Sequence, residues 1–297
     1  MSVQPAVAPY VPTYATETSY ITVDEYLAEP TGVDTSQLVP EGSADDNRAA
    51  LARVIARASS QADSICRKPL AATVDVQSGE YRVRADGTIW VPVDYAPIVQ
   101  VNAISLGWSQ GAMAAMTDLS GVRVERKLVK IPVAGAGASW NGSPRVSSRR
   151  GFIFADVTYV NGWAVTATSQ ASLAGASSLS LAGSLGIAAG LRLSIADGAN
   201  TESTTVGASY VPGSLTVPTA APLLYAHGAG VSVSALPGAG KDAVILLTSS
   251  RIKLRGAEAV QMGSISAEPS APQPTMPGGT SEYNQAVELL KPLRRAR

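Results

Sequence analysis

The segments Tyr20–Ala28 (YITVDEYLA) and Ser43–Leu70 (SADDNRAALARVIARASSQADSICRKPL) decide the reading of this chain. Each carries a hydroxyl residue followed three positions later by a carboxylate: Thr22 with Glu25, and Ser43 with Asp46. In such a capping box the hydroxyl accepts from an orphan N–H of the first turn. The carboxylate reaches back to the cap and faces the positive end of the helix dipole. Two helices are therefore predicted. The second, over about 45–68, is the longer: Leu51, Val54, Ile55, Ala58, Ala62 and Ile65 recur at three- and four-residue spacing, while Arg48, Arg53, Arg57, Gln61 and Asp63 take the remaining arc. It stops before Pro69, which disfavours helical backbone at Lys68.

Downstream the period changes from helix to strand. Tyr81–Arg84, Ile89–Val93, Ile98–Ile104, Val122–Glu125, Leu128–Ile131 and Phe152–Val160 read as strands. Asp86-Gly87 supplies the positive φ values of a tight hairpin between the first two. Ala134–Pro144, rich in Gly, Ser and Asn, reads as a loop. From about Val165 the composition shifts to Ala, Ser, Gly and Thr with short alternating runs at Leu179–Leu181, Leu191–Ile195, Ser203–Val206, Leu215–Val217 and Val231–Val233. Residues 166–236 are expected to form an inserted all-β module, sandwich- or barrel-like, because its flanks would otherwise be adjacent elements.

Asp242–Leu247 opens a further helix of about 242–262, and the Pro-rich run 263–279 is a linker. A last helix follows from Ser281, with Tyr283, Ala286, Val287 and Leu290 on one stripe, stopped by Pro292 and trailed by Arg294, Arg295 and Arg297. An isolated helix of this length is unstable in water, so the stripe needs a partner surface. Tyr283, Val287, Leu290, Lys291, Arg294, Arg295 and Arg297 are the candidate partner-binding residues, on an arm ordered only when docked. At the other end, residues 1–19 alternate Pro, Ala, Val, Thr and Tyr; this is an extended arm or a loose tail, with Tyr10, Tyr14 and Tyr20 as its docking side chains.

Composition narrows the function. The 23 Lys and Arg balance the 23 Asp and Glu, which argues against a surface built to neutralise many phosphates. One cysteine rules out an intrachain disulfide and makes a thiolate zinc site implausible; Cys66 reads as a buried small hydrophobe. No window approaches the apolar length of a membrane span, and Met1–Thr18 has no signal-peptide pattern, so a soluble, unsecreted protein is expected.

Three motifs imitate enzyme sites. Gly107-Trp108-Ser109-Gln110-Gly111 is a complete G-x-S-x-G, and Ser109, Asp197 and His227 fall in the chain order of a nucleophile-elbow triad. The repeated βαβ units of that scaffold are missing, so a serine hydrolase using Ser109 and His227 stands only as an alternative. Gly238-Ala-Gly240-Lys241 before a helix is an incomplete phosphate loop, with Ala235 and Asp242 where the motif requires Gly and Ser or Thr. Asp24-Glu25 and Asp45-Asp46 are explained as caps rather than metal ligands. No cofactor, metal or catalytic residue is expected.

The order of elements resembles the head-to-tail adaptor (connector) proteins of long-tailed bacteriophages. The resemblance rests on a short helix, a polar loop, and a longer amphipathic helix ending in Cys66-Arg67-Lys68-Pro69-Leu70. Strands then follow around Ala96–Val101, a late strand closes in Tyr159-Val-Asn-Gly162, and the returning helix begins at Lys241–Leu247. It covers about half the chain. It implies an α+β fold: a helical adaptor body (20–165 and 237–262) with a small β-sheet, carrying the inserted module and an extended C-terminal arm ending in a helix. It also implies a non-enzymatic virion protein assembled in the bacterial cytoplasm. Such a protein forms a homo-oligomeric ring, usually of twelve, in the neck, contacts the portal protein and a stopper or tail-terminator, and lets DNA pass through its channel. A stopper or tail-end connector is the nearer alternative, distinguished by a more β-rich body without the long helix.

Overall fold

The computed structural model describes residues 19–125, 127–133, 151–263 and 281–294. The N-terminal arm up to Thr18, the loop expected at Ala134–Pro144 and all of the linker expected at 263–279 except Gly263, which is helical, lie outside the described residues.

Helices α1 (Val23–Ala28) and α2 (Ala44–Cys66) begin at both expected caps. Thr22 Oγ1 accepts from the Glu25 N–H at 3.0 Å and Glu25 Oε2 accepts from the Thr22 N–H at 2.8 Å; Ser43 and Asp46 make the same reciprocal pair. α2 ends slightly before the expected 68, because Arg67 turns left-handed at φ 58° and its N–H caps the Ser64 carbonyl. Asp63 then accepts from the Leu70 N–H at 2.9 Å and from the Tyr20 hydroxyl at 2.6 Å. The Tyr20 oxygen accepts in turn from the N–H groups of Leu70 and Ala71, each at 3.1 Å. This knot fastens the start of α1's segment to the exit of α2.

Seven strands follow: β1 (Thr73–Arg82), β2 (Thr88–Pro92), β3 (Ile98–Gly107), β4 (Met113–Ala115), β5 (Arg123–Glu125), β6 (Leu128–Pro132) and β7 (Phe152–Asn161). They form two antiparallel sheets, ordered β1-β7-β3-β4 and β2-β6-β5. Alternate residues of β2, β6 and β7 point inward. Ile89, Val91, Val129 and Ile131 from the smaller sheet meet Ile104, Leu106, Ile153, Val157 and Tyr159 from the larger in one core. The expected β1–β2 hairpin is corrected. The Asp86-Gly87 turn does form, with Gly87 at φ 74° and the Arg84 N–H bonded to the Thr88 carbonyl. Beyond it the strands part, because β1 pairs along its whole length with β7 and β2 pairs with β6.

The next six strands are β8 (Val165–Ala167), β9 (Ser178–Ser180), β10 (Arg192–Ala196), β11 (Glu202–Thr205), β12 (Thr216–Pro218) and β13 (Ser232–Ser234). Two small sheets, β11-β10-β13-β8 and β12-β9, enclose their own core of Leu179, Leu181, Leu193, Ile195, Val217 and Val233. The two ends of this segment meet, since the Ala235 N–H donates to the Ala164 carbonyl at 2.8 Å.

Helices α3 (Gly238–Gly263) and α4 (Ser281–Leu290) complete the chain. α3 packs on α2. Tyr26 Oη lies 3.0 Å from Ser249 Oγ, Arg251 Nε donates to Gln61 Oε1 at 2.8 Å, and Lys241 pairs with Glu25 at 2.7 Å. Leu51, Ile55, Ala58, Leu70, Val244 and Leu247 form the helical core, each buried Leu stabilising by about 1.5–3 kcal/mol. The fold is thus mixed α and β, with several small antiparallel sheets and few helices.

Candidate functional site

The three residues of the imitated triad do not assemble. Gly107–Gly111 is the tip of the β3–β4 hairpin, where Gly107 pairs with Met113 and Ser109 is exposed. Its first glycine has a steric reason: a Cβ at Gly107 would stand 2.4 Å from the Ala112 carbonyl oxygen and 2.9 Å from Met113 Cα. Asp197 and His227 do meet, with Nδ1 3.0 Å from Oδ2. The other ring nitrogen, which a serine nucleophile would need, lies 2.7 Å from Glu202 Oε1, and the His227 side chain has no solvent exposure. The Ser109–His227 alternative is therefore corrected: the ring is occupied by two acids and turns neither nitrogen to the serine.

Glu202 is the residue that sequence reasoning missed. Its carboxylate also accepts from the N–H groups of Leu224 at 2.9 Å and Tyr225 at 3.2 Å. Burial works to raise this carboxyl, but those two N–H groups and His227 outweigh it and hold Glu202 below the usual glutamate range. No spacing in the sequence marks the acid, because β10, β11 and the segment before β13 are brought together only by the module's own sheet.

The remaining motif residues have structural duties. Lys241 of the incomplete phosphate loop lies in the first turn of α3, where its N–H and that of Gly240 reach the Pro237 carbonyl. Its ammonium is taken by Glu25. Asp24 holds Arg48 at 2.7 Å, and Asp46 serves its cap. Among the described residues no group of three His, Cys, Asp or Glu is placed to hold a metal ion, and no helix is long and apolar enough to cross a membrane.

The candidate partner-binding residues are distributed unevenly. Leu290 is buried completely, together with Ala286, in the core made with α2 and α3, and Tyr283 packs at its edge. The stripe expected to need a neighbouring ring is thus covered by this chain's own helices, and the picture of an extended arm is corrected to a helix folded back on the body. Val287 is half-buried; Lys291 is exposed and pairs with Glu288 at 2.5 Å; Arg294 is exposed. Arg295 and Arg297 lie outside the described residues. Tyr20 is likewise buried in its own chain rather than presented for docking, while Tyr10 and Tyr14 fall outside the described residues. Cys66 is fully buried, with its thiol pushed up to about 11 chiefly by that burial.

No protein-family model matches the sequence, and no curated protein matches it. Among solved structures the chain is similar to a chain of the "Neck of empty GTA particle computed with C6 symmetry". The identity is 15%, the match covers 93% of this chain and 94% of that one, and the TM-score is 0.34.

Proposed function

We propose that this chain is a structural, non-enzymatic protein of a phage-type particle neck, a head-to-tail adaptor that forms a homo-oligomeric ring. The observation that carries the reading is the closure of the helical body. α1 and α2 near one end of the chain pack with α3 near the other, through Tyr26 and Ser249, Gln61 and Arg251, and Glu25 and Lys241. This is the short helix, long helix, strands and returning helix of the adaptor resemblance, in the same order. The length of α2, 23 residues, favours an adaptor over the β-rich stopper or tail-end connector. In this reading the ring, usually of twelve subunits, joins the portal protein to a stopper or tail-terminator and lets DNA pass. The face of α4 that bears Val287, with Lys291, Arg294, Arg295 and Arg297 following it in the sequence, is the side that would meet the portal, its cations matched to acidic groups there.

Electron microscopy of the purified chain, alone and with portal particles, tests this. The expected result is closed rings that cap the portal. A chain that stays monomeric at every concentration and leaves the portal bare would overturn the proposal.

A further inference from the structure

His227 is the one histidine of the chain, and both of its ring nitrogens face acids: Asp197 at 3.0 Å and Glu202 at 2.7 Å. A neutral imidazole has one N–H donor and one bare lone pair. Either neutral tautomer would set that lone pair against a carboxylate oxygen at hydrogen-bond distance, in an interior that magnifies the repulsion. We infer that His227 carries both ring protons and acts as a charged staple between the turn after β10 and the segment before β13. This goes beyond the neck reading and does not rest on it.

The charged groups touching the ring among the described residues are those two acids, Asp197 from the β10–β11 connection and Glu202 from β11. The segment paired with His227 brings the uncharged Ser172.

The two halves are unequal. The Glu202 side chain is 5% exposed and is fixed by the Leu224 and Tyr225 N–H groups, whereas that of Asp197 is 29% exposed. The Glu202 half ties the ring to the backbone of Leu224 and Tyr225, whose side chains are exposed on the stapled segment, and the Asp197 half ties it to the turn after β10.

Selective 15N-histidine labelling of the full chain reports this single ring. Imidazolium signals from both nitrogens are expected at pH 7. In Asp197→Ala at the same pH, amide protection at Asn200 and Thr201, with the intrinsic exchange rate divided out, should fall about tenfold, the scale of one charge-assisted hydrogen bond. Asp197→Asn, which keeps an acceptor without the charge, should lose part of the same protection and covers the case in which the alanine variant does not fold. A wild-type ring with a single N–H, or protection at these amides unmoved by both substitutions, would overturn the staple.

Discussion

Asp63 offers the sharpest test of the helical body. Its carboxyl is pushed up from an ordinary 3.8 to about 6, chiefly by burial, although the Tyr20 hydroxyl and the Leu70 N–H work to lower it. The folded state therefore holds the proton more tightly than the unfolded chain does. The favourable contribution is complete below about pH 4 and is lost as pH rises through about 6. That gap corresponds to about 3 kcal/mol at about 1.4 kcal/mol per tenfold in proton affinity. Asp63→Asn keeps an oxygen for both donors and removes the charge. Its stability relative to the wild type should grow between pH 4 and 6.5 and level off above, with a ceiling of about 3 kcal/mol, or about 6–12 °C in Tm for one cooperative unit. Asp63→Leu, which strands the buried Tyr20 hydroxyl while the Leu70 N–H keeps the Tyr20 oxygen, should be destabilised at every pH by about 1–3 kcal/mol. Urea and thermal melts followed by circular dichroism at 222 nm from pH 4 to 8.5 supply the comparison. An asparagine variant that is less stable at pH 8, or whose advantage does not change with pH, would refute the argument.

Leu290→Ala should cost about 2–5 kcal/mol in thermal denaturation and unseat α4; because Cys66 Sγ lies 3.9 Å from the Leu290 carbonyl, maleimide labelling of the thiol should speed up. Gly107→Val should destabilise by about 1–3 kcal/mol, whereas Ser109→Ala should stay within about 0.5 kcal/mol and leave ester-substrate assays unchanged; turnover abolished by the serine substitution would contradict the hairpin-tip role. Replacing 167–236 with a short Gly/Ser bridge should retain the helical circular dichroism of the body, since Ala164 and Ala235 already meet; loss of soluble protein would show that the helical core needs the module.

What the sequence revealed was local. Thr22 with Glu25 and Ser43 with Asp46 mark helix starts because the interactions that fix them span three residues. The strand positions of β2, β3, β5, β6 and β7 were legible from alternation for the same reason, whereas β4 went unread and β1 was marked only at its Tyr81–Arg82 end. Pairing was not: Asp86-Gly87 specifies a turn, but whether β1 continues along β2 depends on β7, some seventy residues away, which offers β1 a ten-residue partner. The stripe of α4 was readable, yet its cover was not, because the receiving surface exists only once α2 and α3 have packed. At the acid–histidine cluster the chain order of Asp197 and His227 gave half of the contact. Glu202, the acid that fills the second nitrogen, carries no mark in sequence, since its place is set by strand register.

The hydrogen bond between Ala235 and Ala164 bears on the order in which the protein folds. Tyr26 and Ser249 must find each other across a sequence separation of 223, and the β8–β13 segment is about a third of that distance. Left unfolded, a loop of about seventy residues costs roughly 4 kcal/mol of closure entropy by the (3/2)RT ln n relation. Once the segment has collapsed on its own core, its ends lie one peptide bond's reach apart and most of that cost is gone. A module that folds early therefore works as a splint, shortening the search by which the returning helix locates its place against α1 and α2.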